Sequence, residues 1–105
     1  MIKIDIIKIT KELKVNKFIF HKGDLVLMTR CESVTFGYDD VKLYNRSKRA
    51  WLEGVLNYHA SFKPHGVWFD NYINIERSFL LHDKRQLNAL VENEDLLNNY
   101  IKYNV

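Results

Sequence analysis

Residues 44–62 read YNRSKRAWLEGVLNYHASF, and the rest of the chain is organised around how this stretch is read. Trp51, Leu52, Val55, Leu56, His59 and Phe62 recur at spacings of three and four, which predicts a helix with one apolar stripe. Asn45 is a good N-cap type and sets the expected start. Lys63-Pro64-His65-Gly66 supplies the stop, because proline cannot continue a helix and glycine tolerates the turn. Gly54 costs such a helix about 1 kcal/mol relative to alanine, so close approach of another backbone is expected there. Arg46, Lys48 and Arg49 fall in the expected first turn, where cations oppose the macrodipole by about 0.3–1 kcal/mol each. An anion would correct that balance.

Upstream, Ile2, Ile4 and Ile6 alternate with Lys3 and Asp5 as in a strand, and Ile7 breaks the phase as a bulge or a strand end would. Residues 10–14 (TKELK) are polar and read as a connector. Phe18–Phe20 and Leu25–Met28 are apolar runs on either side of Lys22-Gly23, a hairpin signal with glycine at a positive φ. Both runs are expected in the centre of a sheet. Ser33–Tyr38 (SVTFGY) reads as a further strand and Asp39-Asp40 as a turn. Val41–Tyr44 reads either as a short edge strand or as the front of the helix.

Downstream, Val67, Phe69, Asn71, Ile73 and Ile75 alternate with Trp68, Asp70, Tyr72 and Asn74. That is one strand with an aromatic second face, or two shorter strands joined at Asp70-Asn71. Ser78–Leu81 extends or follows it. Asp83 and Gln86 resemble a capping box, after which Leu87, Leu90, Val91, Leu97 and Ile101 trace one helical stripe, interrupted at Glu94. The expected fold is a single α+β domain: an antiparallel sheet of about five strands with two amphipathic helices, one inserted between strands and one C-terminal.

Composition narrows the function classes. The chain has 105 residues, 47% hydrophobic and 28% charged, with one cysteine and a net charge of +3. Such a chain buries a core without an intramolecular disulfide, and a reducing, cytoplasmic setting is expected. No run reaches the ~20 apolar residues needed to span a bilayer. Residues 1–63 hold 12 Lys/Arg against 7 Asp/Glu, whereas residues 64–105 hold 4 against 6. That argues against a DNA mimic, which needs an acidic surface, and falls short of a DNA-coating protein. The abundance of Lys, Asn and Ile fits an A/T-rich bacterial or phage genome.

Candidate sites follow from chemistry. Lys42, Tyr44, Arg46, Lys48 and Arg49 form a candidate patch for nucleic acid or another anion, with Tyr44 as a stacking ring. Tyr58, Trp68 and Tyr72 are candidate partner-binding aromatics on a face opposite the core. His59, His65 and Asp70 lie close in sequence but match no metal-ligand spacing, while His21 and His82 are scattered. Cys31 sits between Arg30 and Glu32 and is expected to be structural rather than a nucleophile. No glycine-rich phosphate loop, paired-cysteine motif or serine elbow is present, and no cofactor is expected. The expected function is a small non-enzymatic interaction or regulatory protein that occupies a surface of a larger partner protein. A nucleic-acid-binding module is the alternative, and a small nuclease a third. Residues 92–95 (ENED) are an acidic counterpart to the basic cluster, able to meet it across a homodimer.

Overall fold

A computed structural model describes residues 1–32 and 37–102. Its centre is β1 (Ile2–Ile9), which pairs antiparallel with β4 (Leu25–Glu32) on one side and β8 (Ile73–Leu81) on the other. Beyond β4 lie β5 (Tyr38–Asn45), β6 (Ala50–Asn57) and the two-residue β7 (Phe62–Lys63), giving a six-stranded antiparallel sheet in the order β7-β6-β5-β4-β1-β8. A two-stranded ribbon, β2 (Leu13–Val15) and β3 (Phe18–Phe20), and the helices α1 (Lys84–Glu92) and α2 (Glu94–Lys102) complete it.

Alternation along the strands feeds two cores. Ile4, Ile6, Leu27, Tyr44 and Leu81 pack under Leu87, Leu90, Leu97 and Ile101 of the helices; this is the helix face. Ile7, Ile9, Val26, Met28, Val41, Leu43, Leu52 and Leu56 point the other way. They pack under Leu13, Val15 and Phe20 of the ribbon and under Phe62; this is the ribbon face. The phase break expected at Ile7 is not in β1, whose register with β4 runs unbroken from Lys3 to Lys8; the irregularity at this point lies in its other neighbour, β8. Ile6 pairs with Arg77 and Ile7 with Ile75, which leaves Glu76 as the extra residue of a bulge.

Residues 44–62 are the main correction. They form the end of β5, a turn at residues 46–49, β6 and the start of β7, so no helix is inserted between strands among the described residues. The spacing misled for a physical reason. β6 is apolar on both faces, with Leu52 and Leu56 toward the ribbon and Trp51 and Val55 toward the helix side. Glu53 and Gly54 fall between these pairs, so the apolar residues recur about every four positions, as in a helix. Asn45 does accept a hydrogen bond from the backbone N–H three residues on, at Lys48 (2.9 Å), which is the bond of an N-cap. Here it closes a turn instead, and Arg49 at φ +50° returns the chain into β6.

Gly54 is a point of close approach, but from within a strand. A Cβ there would lie 2.6 Å from the Phe62 ring and 2.8 Å from the Lys63 carbonyl oxygen. Other corrections are local. Residues 10–14 are not merely a connector, since Leu13 opens β2. Asn16 at φ +53° makes the tight turn to β3. Gly23 has the expected positive φ, yet β3 and β4 are not hairpin partners: β3 belongs to the ribbon and β4 to the main sheet. Asp39-Asp40 is strand, not turn, and Val41–Tyr44 is interior to the sheet. Of the strand expected over Ser33–Tyr38, residues 33–36 lie outside the described residues. Of the two readings for residues 67–75, the break near Asp70-Asn71 holds: Asn71 has φ +63° and β8 starts at Ile73. Both helices are C-terminal. Asp83 caps the first through the Gln86 N–H, and Asn93 caps the second through the Leu96 N–H, which splits the expected single stripe.

Asp5 is fully buried on the ribbon face. Arg30 on β4 donates to it through Nε at 2.9 Å, Ser78 on β8 donates through Oγ, and Arg30 reaches Asp39 on β5 at 3.5 Å. One network therefore crosses four adjacent strands. Asp5→Ala is expected to destabilise the protein by about 3 kcal/mol, because it leaves Arg30 under-compensated in a half-buried setting. Gly54→Ala is expected to cost about 1–3 kcal/mol through the clash with Phe62 and the Lys63 carbonyl. Urea unfolding midpoints at constant m-value test both, and a loss below about 0.5 kcal/mol in either case contradicts the corresponding account.

Candidate functional site

The two short helices cover only part of their face. Beyond Tyr44 and Leu27, the helix face continues with Thr29 and Cys31 on β4, Asp40 and Lys42 on β5, and Glu53 and Val55 on β6, none of them buried. A shallow hollow of about 290 Å³ lies here, lined in part by Thr29, Cys31, Asp40, Lys42 and Glu53. At its far end two aromatic rings meet. Phe69 bridges to Phe62 and packs on the ribbon side, so the preceding Trp68 is turned to the other face. There it stacks on Tyr38 at the start of β5, with ring centroids 5.8 Å apart and planes 25° apart. Lys63, the register partner of Val55, places its ammonium 5.5 Å over the Trp68 ring. A cation over an indole face is favourable, and Tyr38 remains 38% exposed.

The charges around this surface balance. Asp40 and Glu53 offset Lys42 and Lys63, and Lys42 lies 3.4 Å from Glu53 in an exposed pair. An exposed pair of this kind contributes little to stability. The surface offers flat apolar rings with mixed charges beside them, suited to a surface that is itself mixed.

The expected basic patch does not assemble. Tyr44 is 7% exposed under the helices and tilted against Trp51, so it offers no stacking surface. Lys42 is on the open sheet face, engaged with Glu53. Arg46, Lys48 and Arg49 remain together and exposed on the β5–β6 turn. Arg46 and Arg49 share a cleft of about 280 Å³ with Glu92 and Glu94 of the helix junction. The basic and acidic segments thus face one another across this cleft within one chain, although no ion pair closes between them among the described residues.

The aromatic trio is dispersed in the same way. Tyr58 is 84% exposed on the β6–β7 turn beside His59, and Tyr72 packs edge-on against Phe69 over the ribbon-side core. Only Trp68 belongs to the open surface. Its partners Tyr38 and Lys63 carry no linear signal, since Tyr38 is thirty positions away and arrives through the β5-β6-β7 order. His59, His65 and Asp70 are exposed, and among the described residues no group of three or more His, Cys, Asp or Glu is placed to hold a metal ion. Cys31 is an exposed free thiol at the rim of the hollow. No described helix is long and apolar enough to cross a membrane.

No family model matches the chain, and no curated protein or solved structure is significantly similar to it.

Proposed function

We propose that the protein is a small non-enzymatic interaction module that docks on a larger protein through the uncovered half of its helix face. The observation that carries this reading is the Tyr38–Trp68 stack with Lys63 over it, at the edge of a charge-balanced hollow. Tyrosine and tryptophan supply large contact areas with few torsions to freeze, and they dominate the energetics of protein interfaces. A charge-balanced surface gives no long-range attraction for a polyanion, which favours a protein over a nucleic acid as the occupant. The partner face expected is apolar at its centre and mixed in charge at its rim.

Arg46, Lys48 and Arg49 keep the nucleic-acid reading in view, because three exposed cations share one turn and none is ion-paired among the described residues. Without Tyr44 as a stacking ring and with Glu92 and Glu94 across the cleft, this reading is the second one.

Two measurements separate the readings. Immobilised wild type and a Tyr38→Ala/Trp68→Ala variant with unchanged far-ultraviolet circular dichroism are compared for retained proteins. A partner held by the wild type and weakened by at least tenfold in the variant is expected, since hot-spot truncation costs about 2 kcal/mol or more. Equal retention by the two proteins, or an inert wild type that turns over RNA or nucleotides, contradicts the docking reading. Oligonucleotide anisotropy at about 50 and 200 mM salt tests the second reading. Three phosphates neutralised by the turn predict a log–log salt slope of about −2 to −3, lost in Arg46→Glu/Lys48→Glu/Arg49→Glu. Absence of binding at the lower salt removes that reading.

A further inference from the structure

β8 is nine residues long, and among the described residues its backbone hydrogen-bonds to β1 alone, so its outer side is a free edge. An edge of this length is a template for another strand. The opposite side of the sheet ends in the two-residue β7. So short an edge discourages pairing, whereas β8 offers nine residues interrupted at one point, the bulge at Glu76.

The bulge also changes which side chains share a face. Register partners lie on one face, so Ile73 and Ile75 belong with Ile9 and Ile7 on the ribbon face. Across the bulge, Ser78 and Leu80 belong with Asp5 and Lys3, again on the ribbon face, while Arg77, Phe79 and Leu81 are on the helix face. Ile75 and Leu80 are therefore on the same face despite an odd spacing in sequence, and they are 38% and 59% exposed.

We infer that β8 pairs antiparallel with β8 of a second copy about a two-fold axis at Ser78, joining two sheets into one. In this register Arg77 lies opposite Phe79 of the second copy and Asn74 opposite Leu81, each pair on one face. Ile75 lies opposite Leu80 of the second copy, with Glu76 as the extra residue of a two-against-one step, so the bulge is accommodated on both sides of β8. The two most exposed apolar side chains of the strand's ribbon face cover each other twice across the axis. Moving the axis to Arg77 sets Ile75 opposite Ser78 and Leu80 opposite Ile73, which is already buried. Moving it to Phe79 leaves Ile75 without a partner. A second copy of β8 is self-complementary in this register, because each strand offers its Leu80 to the other's Ile75 and both exposed apolar side chains are covered at once. Arg77 is already committed to the carbonyl oxygens of Tyr100 and Ile101 at the end of α2, so the axis places no free cation on the helix face at this point.

Sedimentation equilibrium of the full chain across the micromolar range tests the dimer, and it is independent of the Tyr38–Trp68 surface. A wild-type dimer is expected. Ile75→Glu and Leu80→Lys, both at exposed positions, are each expected to weaken it by about tenfold or more by placing an unpaired charge in the seam. The combined Ile75→Glu/Leu80→Lys variant is expected to recover association, because the two new charges face each other only in this register. Mixing Ile75→Cys and Leu80→Cys chains in a Cys31→Ser background is expected to yield a disulfide-linked heterodimer. A wild type that stays monomeric overturns the inference, as does a dimer indifferent to both single substitutions or a folded combined variant that fails to recover.

Discussion

A carboxylate with no access to water has to find its compensation inside the protein, and Asp5 finds it on the strands around it. Ser78 lies on one neighbour, Arg30 on the other, and Asp39 follows one strand further on. Sliding any of these strands by one residue turns every side chain to the opposite face and leaves a buried charge alone. Such a network adds less net stability than its contacts suggest, because desolvating the ions offsets much of their attraction. What it does enforce is register. With β8, β1, β4 and β5 held in alignment, the isoleucines of β1 divide correctly between the two cores.

That alignment decides where cover is sufficient and where it is not. The ribbon and the segment around Phe62 and Phe69 close much of one face of the sheet. The other face receives two nine-residue helices, bent apart at Asn93, which bury Tyr44 and lean on Trp51 but leave Thr29, Cys31, Asp40 and Val55 outside. The uncovered region is where Trp68 and Tyr38 stack. Aromatic rings beside a hollow on a partly covered sheet are the basis of the docking proposed above. The β8 edge arises from the same economy of cover, since nothing described packs along its outer side.

Much of the fold was legible locally. Alternation marks β1, the apolar runs mark β3 and β4, and the Asp83–Gln86 signal marks the start of the helices, each because one short-range rule acts there without competition. β6 was not legible, because a strand buried on both faces with a polar pair in its middle has the same apolar spacing as a helix. Asn45 could not arbitrate, as capping a helix and closing a turn use the same side-chain bond to the same backbone N–H. Gly54 carried a correct message about close approach within an incorrect element. The candidate sites fared according to how local they were: Arg46, Lys48 and Arg49 stay together on one turn, whereas Tyr44 was assigned to a surface and is core.

Residue order alone thus settles the mixed class of the domain, the strands β1, β3 and β4, the helical C-terminus and the grouping of the basic residues. All of these depend on interactions among residues a few positions apart. Tertiary structure alone decides that Tyr38, Lys63 and Trp68 share a surface, that Asp5 meets Ser78, and that Ile75 and Leu80 emerge on one face. Each of those outcomes depends on strand order or on a bulge defined by a neighbouring strand. Pairings over such separations are set by the packing of the whole sheet, and no short stretch of this chain carries them.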